Sequence, residues 1–386
     1  MNNSWWRSKE ELDKDQMAFI QLPRHGKHML VGPPGSGKTN LLLLRAQFIA
    51  GSGEKNVLII TYTRSLVDFI RSGIAESRLI LPKQVQTYHS WANQHILEYL
   101  DKYAVESDED FNEDTRKRIL ELVVEANKKL QTPKLYNAIF VDEAQDFTVG
   151  ELEELLKLSD NVCICGDSRQ SIYNRDGLDV ANKLGLLEHE LRRHYRIGQK
   201  IAHVADRLMP PADGTPTLES TSNYNPKIQG ESSANMHACK DRNEQFEKMT
   251  DLIKVQLDAF KGDTIGIFCC KKDTVREVKS RFDNSGLESM VCVHGIGEGE
   301  SFSSEKPIHV LTMHSAKGTE FRAVHIFGAE EMANHPFRRT TLGYTAITRA
   351  KTALNIFRTG DTTPRLESAL AEPAHVELDD IFPGDK

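Results

Sequence analysis

Residues 28–40, HMLVGPPGSGKTN, admit few folds. An apolar run meets Gly32, four residues later comes Gly37-Lys38-Thr39, and a leucine-rich stretch follows. That spacing is a phosphate loop, in which backbone N–H groups close around an anion at the start of a helix. The loop reads as Gly32, Pro33, Pro34, Gly35, Ser36 and Gly37, with Asn40 in the first helical turn. Lys38 is placed to bridge the β and γ oxygens of a nucleoside triphosphate, and Thr39 to ligate Mg²⁺. A strand feeding such a loop and helix belongs to an α/β domain with a parallel sheet.

The rest of the chain repeats that alternation. Apolar strand candidates lie at His28–Gly32, Val57–Thr61, Ile139–Val141, Val162–Cys165 and Ile265–Cys270, and again at His309–Met313, Val324–Phe327 and Ala353–Phe357. Most are followed by helical stretches, and 386 residues suit two domains of ordinary size. The expected division is residues 1–193, with a helical insertion at about 91–130, then 194–365, then an acidic, disordered tail at 366–386. Ser8 with Glu11 reads as a capping box that starts a helix carrying Leu12, Gln16 and Ile20. Trp5 and Trp6 before it either pack that helix down or offer a stacking platform. Residues 209–233, rich in Pro, Gly and Ser, read as a long loop.

A net charge of −7 is unusual for a protein that binds nucleic acid, but the acids are unevenly placed. Segments 106–114 and 367–385 hold twelve of the 56 acidic residues, and elsewhere lysine and arginine outnumber acids. Nucleic acid is therefore not excluded as a partner. Cys163, Cys165, Cys239, Cys269, Cys270 and Cys292 show no Cys-x-x-Cys spacing and read as buried thiols rather than as a zinc site. No apolar run approaches the 18 or so residues of a membrane span, so the expected location is cytoplasmic.

The stretch AIFVDEAQDF supplies a second half-site, a buried strand ending in Asp142-Glu143. There the first carboxylate can hold Mg²⁺ and the second can orient or deprotonate water.

Taken together and in order, several stretches from Leu12 to Phe357 resemble superfamily 1 helicases of the UvrD/Rep type. The resemblance implies two RecA-like phosphate-loop domains with parallel sheets and an ATP site in the cleft between them. LDKDQ looks like the adenine-reading motif, implying that Gln16 grips the base. ITYTRS and VQTYHSWA look like strand-binding motifs, implicating Tyr62, Thr63, Arg64, Thr87, Tyr88 and His89. CICGDSRQSIY makes Gln170 the sensor of the γ-phosphate. ELRRHYR implies that Tyr195 stacks on adenine and that Arg196 is an arginine finger. LTMHSAKGTEF puts Glu320 near the ribose and His314 and Ser315 near nucleic acid, and LGYTAITRAK makes Arg349 the second finger.

The sequence also departs from that family. Arg175 stands where the family has a base-wedging aromatic, and there it either stacks on a base, holds a phosphate or lies in a solvated loop. The large accessory domain is missing, since only IGEGESFSSEKP separates VCVHG from IHVLTM. These features imply an ATP- and Mg²⁺-dependent translocase on single-stranded DNA, RNA not being excluded, of 3′–5′ polarity by family analogy. Unwinding is expected to be weak, or to depend on a protein partner that supplies an unwinding or nuclease surface. The alternative is an ATP-gated interaction switch for a nuclease, a polymerase or a defence effector. The two separate by whether ATP drives strand displacement or only partner capture.

Overall fold

The computed structural model describes residues 11–74, 78–104, 112–173, 175–283, 285–296 and 306–371. Trp5, Trp6, Ser8, the tail beyond 371 and most of the acidic run near 110 lie outside these residues.

The first half runs α1 (Lys14–Ile20), β1 (Lys27–Val31), α2 (Lys38–Gly51), β2 (Val57–Thr61), α3 (Arg64–Ile74), β3 (Val85–Thr87), α4 (Tyr88–Leu100), α5 (Glu113–Asn127), β4 (Ala138–Val141), α6 (Val149–Leu156), β5 (Val162–Gly166), α7 (Val180–Leu184) and β6 (Leu187–Glu190). Its six strands are all parallel in the order β3-β2-β4-β5-β1-β6. The second half runs α8 (Gln199–Leu208), α9 (Pro226–Gln229), β7 (Ser233–Ala238), α10 (Arg242–Ala259), β8 (Ile265–Cys269), α11 (Lys272–Phe282), β9 (Val291–Val293), β10 (Ile308–Thr312), β11 (Phe321–Ile326), α12 (Thr340–Ile347), β12 (Ala350–Arg358) and α13 (Pro364–Leu370). Here too every pairing is parallel, in the order β7-β12-β11-β8-β10-β9.

Parallel sheets are covered on both faces, so their inner strands are apolar throughout. β2, β4, β5 and β8 are buried at every residue, which is why VLIIT, AIFV, VCICG and IGIFC were readable as strands. The edge strands were not anticipated. β6 is LEHE and mostly exposed, β7 is SANMHA and only half-buried, and β3 and β9 have three residues each. Charged and short edges are how open sheets avoid further pairing, and they carry no apolar signal.

Two other expectations change. The helix that carries Gln16 and Ile20 begins at Lys14, with Leu12 ahead of it. Asp13 is its cap, accepting from the Gln16 N–H at 2.8 Å while the Gln16 side chain accepts from the Asp13 N–H at 3.2 Å. The long loop at 209–233 contains α9 and ends as β7 begins.

The two halves are in direct contact. Gly318, after β10, adopts φ +80°, and a Cβ there would come within 2.7 Å of the Leu66 side chain on α3. Only glycine permits both that backbone and that approach. Arg169, after β5, donates to the Met209 carbonyl at 2.5 Å and lies over the Tyr344 ring of α12 at 4.7 Å.

Candidate nucleotide and strand sites

The phosphate loop joins β1 to α2. Gly35 and Gly37 adopt φ of +76° and +91°, a backbone that turns successive N–H groups inward and disfavours any side chain. Gly32 has no such constraint on φ, but a Cβ there would meet Leu191 and Ser36 at about 3 Å. The Lys38 ammonium folds back over the loop onto the carbonyls of Gly32 (2.7 Å) and Pro33 (3.0 Å). Gln16 is buried and donates to the Ser36 carbonyl at 2.9 Å, so α1 braces the loop from behind. Pro33 and Pro34 shape the approach to the loop, while Asn40 is buried in the first turn of α2. The Ser36 hydroxyl is buried without a hydrogen-bond partner, an orphan that an incoming phosphate would satisfy.

Asp142 and Glu143 follow β4. Thr39 donates to Asp142 at 2.7 Å, bringing together the two residues expected to hold Mg²⁺. Burial, then repulsion from Glu143, pushes the Asp142 carboxyl up to about 6. Such an excess of buried negative charge is what a divalent cation relieves, and the oxygen donors suit Mg²⁺. Glu143 is one of two non-glycine residues with positive φ among the described residues, at +54°. Burial would raise its carboxyl, but Lys317, Arg349 and Lys38 outweigh burial and hold it below its ordinary value.

Two of those cations come from the second half of the chain. Lys317 follows β10, is 1% exposed, and donates to Asp146 and to the Gln170 carbonyl, each at 2.6 Å, with Glu143 at 3.8 Å. Arg349, just before β12, donates to the Gln170 side chain at 2.5 Å, and Gln170 donates to Asp167 at 3.0 Å. Gln170 and Arg349, from the two halves of the chain, thus meet across the cleft. Arg196 lies beside the loop, but its guanidinium is paired with Glu320, which Lys351 also approaches at 4.0 Å. Tyr195 is fixed by its N–H to the Gly35 carbonyl (3.2 Å) and by its hydroxyl to Asp13. Lys317 was not anticipated as a site residue. Replacing it by alanine leaves Asp146 buried without its cation, a loss of roughly 3–5 kcal/mol for a broken buried pair. The expected result is a lower unfolding temperature or a larger radius of gyration in X-ray scattering. Neither changing would remove Lys317 from the closure of the cleft.

The candidate strand residues lie at the carboxyl ends of β2, β3, β5 and β10. Thr63 and Thr87 sit at the starts of α3 and α4, where their hydroxyls accept from Leu66 and Ser90 N–H, and Arg64 is exposed. Tyr62 is half-buried, edge-on to His89 at 5.5 Å and 4.9 Å from Tyr173. His314 approaches Tyr173 from the second half at 6.4 Å, and Ser315 accepts from the Thr312 hydroxyl at 2.9 Å. Burial holds the His89 imidazole down at about 4, so it is neutral and suited to stacking rather than to ion pairing.

One strand assignment needs correction. Tyr88 is fully buried, packed on Trp91 and Phe147, and presents no face to a base. The signal was in the sequence, since Tyr88, Trp91, Ala92, His95 and Ile96 form one helical stripe and all are buried. Arg175 is not a solvated loop arginine. Its guanidinium lies over Tyr62 (5.1 Å) and Tyr173 (4.8 Å), donates to the Asp146 carbonyl at 2.6 Å and pairs with Glu113 at 3.0 Å.

All six cysteines are buried and unbridged. Cys292, His294 and His309 do converge at β9 and β10, all buried, with one ligand atom of each within 4.8 Å of the others, and the two imidazoles hydrogen-bond each other at 2.9 Å. Among the described residues, no helix is long and apolar enough to cross a membrane.

Comparison with known proteins agrees with this arrangement. The AAA domain family matches residues 16–176, and the UvrD-like helicase C-terminal domain family matches residues 307–357. F-box DNA helicase 1 of Gallus gallus is 35% identical over 92 residues, which are 22% of this chain and 9% of that protein. The chain thus spans a small part of that relative's length. Among solved structures, the C-terminal domain of a possible DNA helicase from Lactobacillus plantarum aligns over 45% of this chain and 91% of its own, at 18% identity and a TM-score of 0.34. The PRRSV helicase aligns over 89% of this chain and 54% of its own, at 14% identity and a TM-score of 0.42. With one family on the phosphate loop and acid pair, the other on the loop of Lys317 and the strand after Arg349, and a parallel sheet in each half, the matches support a UvrD-like superfamily 1 helicase built on two parallel α/β sheets.

Proposed function

We propose that this protein is an ATP-dependent translocase on single-stranded DNA, moving 3′ to 5′, and that extensive unwinding requires a protein partner. One observation carries the reading. Residues 313–318, after β10, reach the candidate strand face through His314 and the acid-pair site through Lys317. A strand that moves this segment therefore moves the cation that sets the charge on Glu143.

Bound MgATP supplies the phosphoanhydride and the metal charge. Thr39 and Asp142 would hold the cation, and Lys38 leaves its carbonyl contacts to meet phosphate oxygens. Glu143, kept as a carboxylate by its cationic neighbours, takes the proton from the attacking water. Arg349, fixed by Gln170 and by the Thr345 carbonyl at 3.1 Å, supplies positive charge only while the domains are closed. Arg196 joins it by exchanging Glu320 for phosphate. Cycles of closure and opening, with Tyr62 and His89 on one domain and His314 on the other, ratchet the strand. Base-independent stacking of about 1–3 kcal/mol per base suits that task.

The test is steady-state ATP hydrolysis by the full chain alone, with single-stranded DNA and with RNA, at moderate and high salt. Stimulation of at least tenfold by DNA, weakening with salt, is expected (~1.4 kcal/mol in the barrier). Hydrolysis indifferent to any nucleic acid would overturn the reading and favour a protein-directed switch.

A further inference from the structure

The edge formed by β9 and β10 carries a donor set that neither the nucleotide site nor the strand face uses. Alternate residues of a strand share a face, so Cys292 and His294 lie on one side, and the parallel register sets His309 of β10 beside Cys292. His294 is one residue past β9, yet its N–H still donates to the Val310 carbonyl at 2.9 Å and keeps it in the ladder. Cys292 is fully buried, and His309 and His294 are 2% and 8% exposed. The Phe321 ring, 5.7 Å from that of His309, helps to cover them. One donor atom of each residue lies within 4.8 Å of the other two, and His294 Nε2 and His309 Nδ1 are 2.9 Å apart. A tetrahedral cation with bonds of about 2.0–2.1 Å to nitrogen and 2.3 Å to sulfur spaces its donors by roughly 3.3–3.6 Å. Small side-chain rotations take the present spacing to that one.

A thiolate and two imidazoles favour Zn²⁺, whereas the oxygen donors Thr39 and Asp142 suit Mg²⁺. His309 also hydrogen-bonds to the Lys306 backbone. Metal-ligating histidines characteristically make such an outer hydrogen bond, which sets the tautomer and the ring orientation. We propose that Cys292, His294 and His309 form a zinc site, with water as the fourth ligand. Binding forms one sulfur–zinc and two nitrogen–zinc bonds. The thiol proton leaves to solvent, and the hydrogen shared by the two facing nitrogens moves to the outer nitrogen of the imidazole that carries it. One proton is therefore released per cation. No Cys-x-x-Cys spacing announces the site, because its donors are a Cys-x-His pair and a single histidine fifteen residues on. β9 is the outermost strand of its sheet and only three residues long, so a cation bonded from both strands pins an edge that little backbone pairing holds. β10 runs directly into residues 313–318, and the same cation steadies the base of the segment that carries His314 and Lys317. Zinc binding here is independent of what the strand face carries.

The test is titration of the full, untagged chain with Co²⁺ after reduction and removal of metal by a chelator, followed by competition with Zn²⁺. The wild type is expected to bind one thiolate-held Co²⁺, seen as sulfur-to-metal charge transfer in the near ultraviolet and tetrahedral d–d bands in the visible. Zn²⁺ should displace it with loss of both. Cys292→Ser should abolish the charge-transfer band and weaken Zn²⁺ by more than about 100-fold, beyond the roughly 10–100-fold that loss of an outer-shell partner costs. Cys239→Ser, at a buried thiol elsewhere in the same domain, should keep both. Zn²⁺ should raise the unfolding temperature of the wild type and leave that of Cys292→Ser unmoved. A wild type without the charge-transfer band would overturn the zinc site whatever the variants do, and would leave two core histidines that merely share a hydrogen bond. A band that persists in Cys292→Ser would also overturn it and point to another thiol, such as Cys165 beside Asp142. Equal Zn²⁺ affinity in the wild type and Cys292→Ser would mark the bound zinc as adventitious.

Discussion

Replacing Lys38 by alanine is expected to lower ATP turnover by about 10²–10³-fold, the usual loss on removing one preorganised group from a developing oxyanion. Strand affinity should stay within about twofold of wild type (~0.4 kcal/mol). The two expectations come from different parts of the structure. The Lys38 ammonium contacts only the carbonyls of its own loop, so its loss removes no contact from α3, α4 or the segment after β10. The loop itself is held by Gln16, by Tyr195 and by the glycine conformations, none of which needs the lysine. Turnover at the wild-type rate in Lys38→Ala would sink the assignment of this loop as the phosphate site. Loss of strand binding along with turnover would instead mean that the loop and the strand face form one unit.

The phosphate loop was legible because its chemistry is local. Glycines at left-handed positions, a lysine and a hydroxyl at fixed offsets need no distant partner to be recognised. Asp142-Glu143 was legible for a related reason, since two adjacent acids closing a fully apolar strand add nothing to packing and mark charge chemistry. What was hidden depends on the fold. Lys317 in SAKG carries no charge-pair signal of its own, and the fold brings it against Asp146 and the Gln170 carbonyl, beside the close approach of Gly318 to Leu66. Edge strands such as LEHE and SANMHA lacked an apolar pattern because water covers one side. Tyr88 was misassigned because its motif position was weighted over its helical phase, and the phase decided. Arg175 shows the remaining gap. Its substitution for an aromatic was visible, but not that it would settle against two tyrosines while bonding the backbone of Asp146.

Arg349→Ala should lower kcat by roughly 10³–10⁵-fold, the effect of an arginine that meets charge only in the transition state. This is the larger of the two losses expected at the site. In the structure Arg349 is nearly buried, gripping the carbonyls of Thr345 and Thr319 and the side chain of Gln170, so its guanidinium is aimed before any nucleotide arrives. Because that contact completes the site only on closure, kcat and kcat/KM should fall together while the affinity for a non-hydrolysable nucleotide changes little. Arg349→Lys should recover only a small part of the loss, since an ammonium cannot hold the carbonyls and phosphate through one planar fork. The same measurements separate a finger from a mere brace. A brace would lower the unfolding temperature and nucleotide affinity in step with kcat, and the lysine variant, which keeps a donor and the charge, would restore most of all three. An arginine that acts on the reacting phosphate leaves both nearly intact, and the domains then close on a nucleotide they cannot hydrolyse.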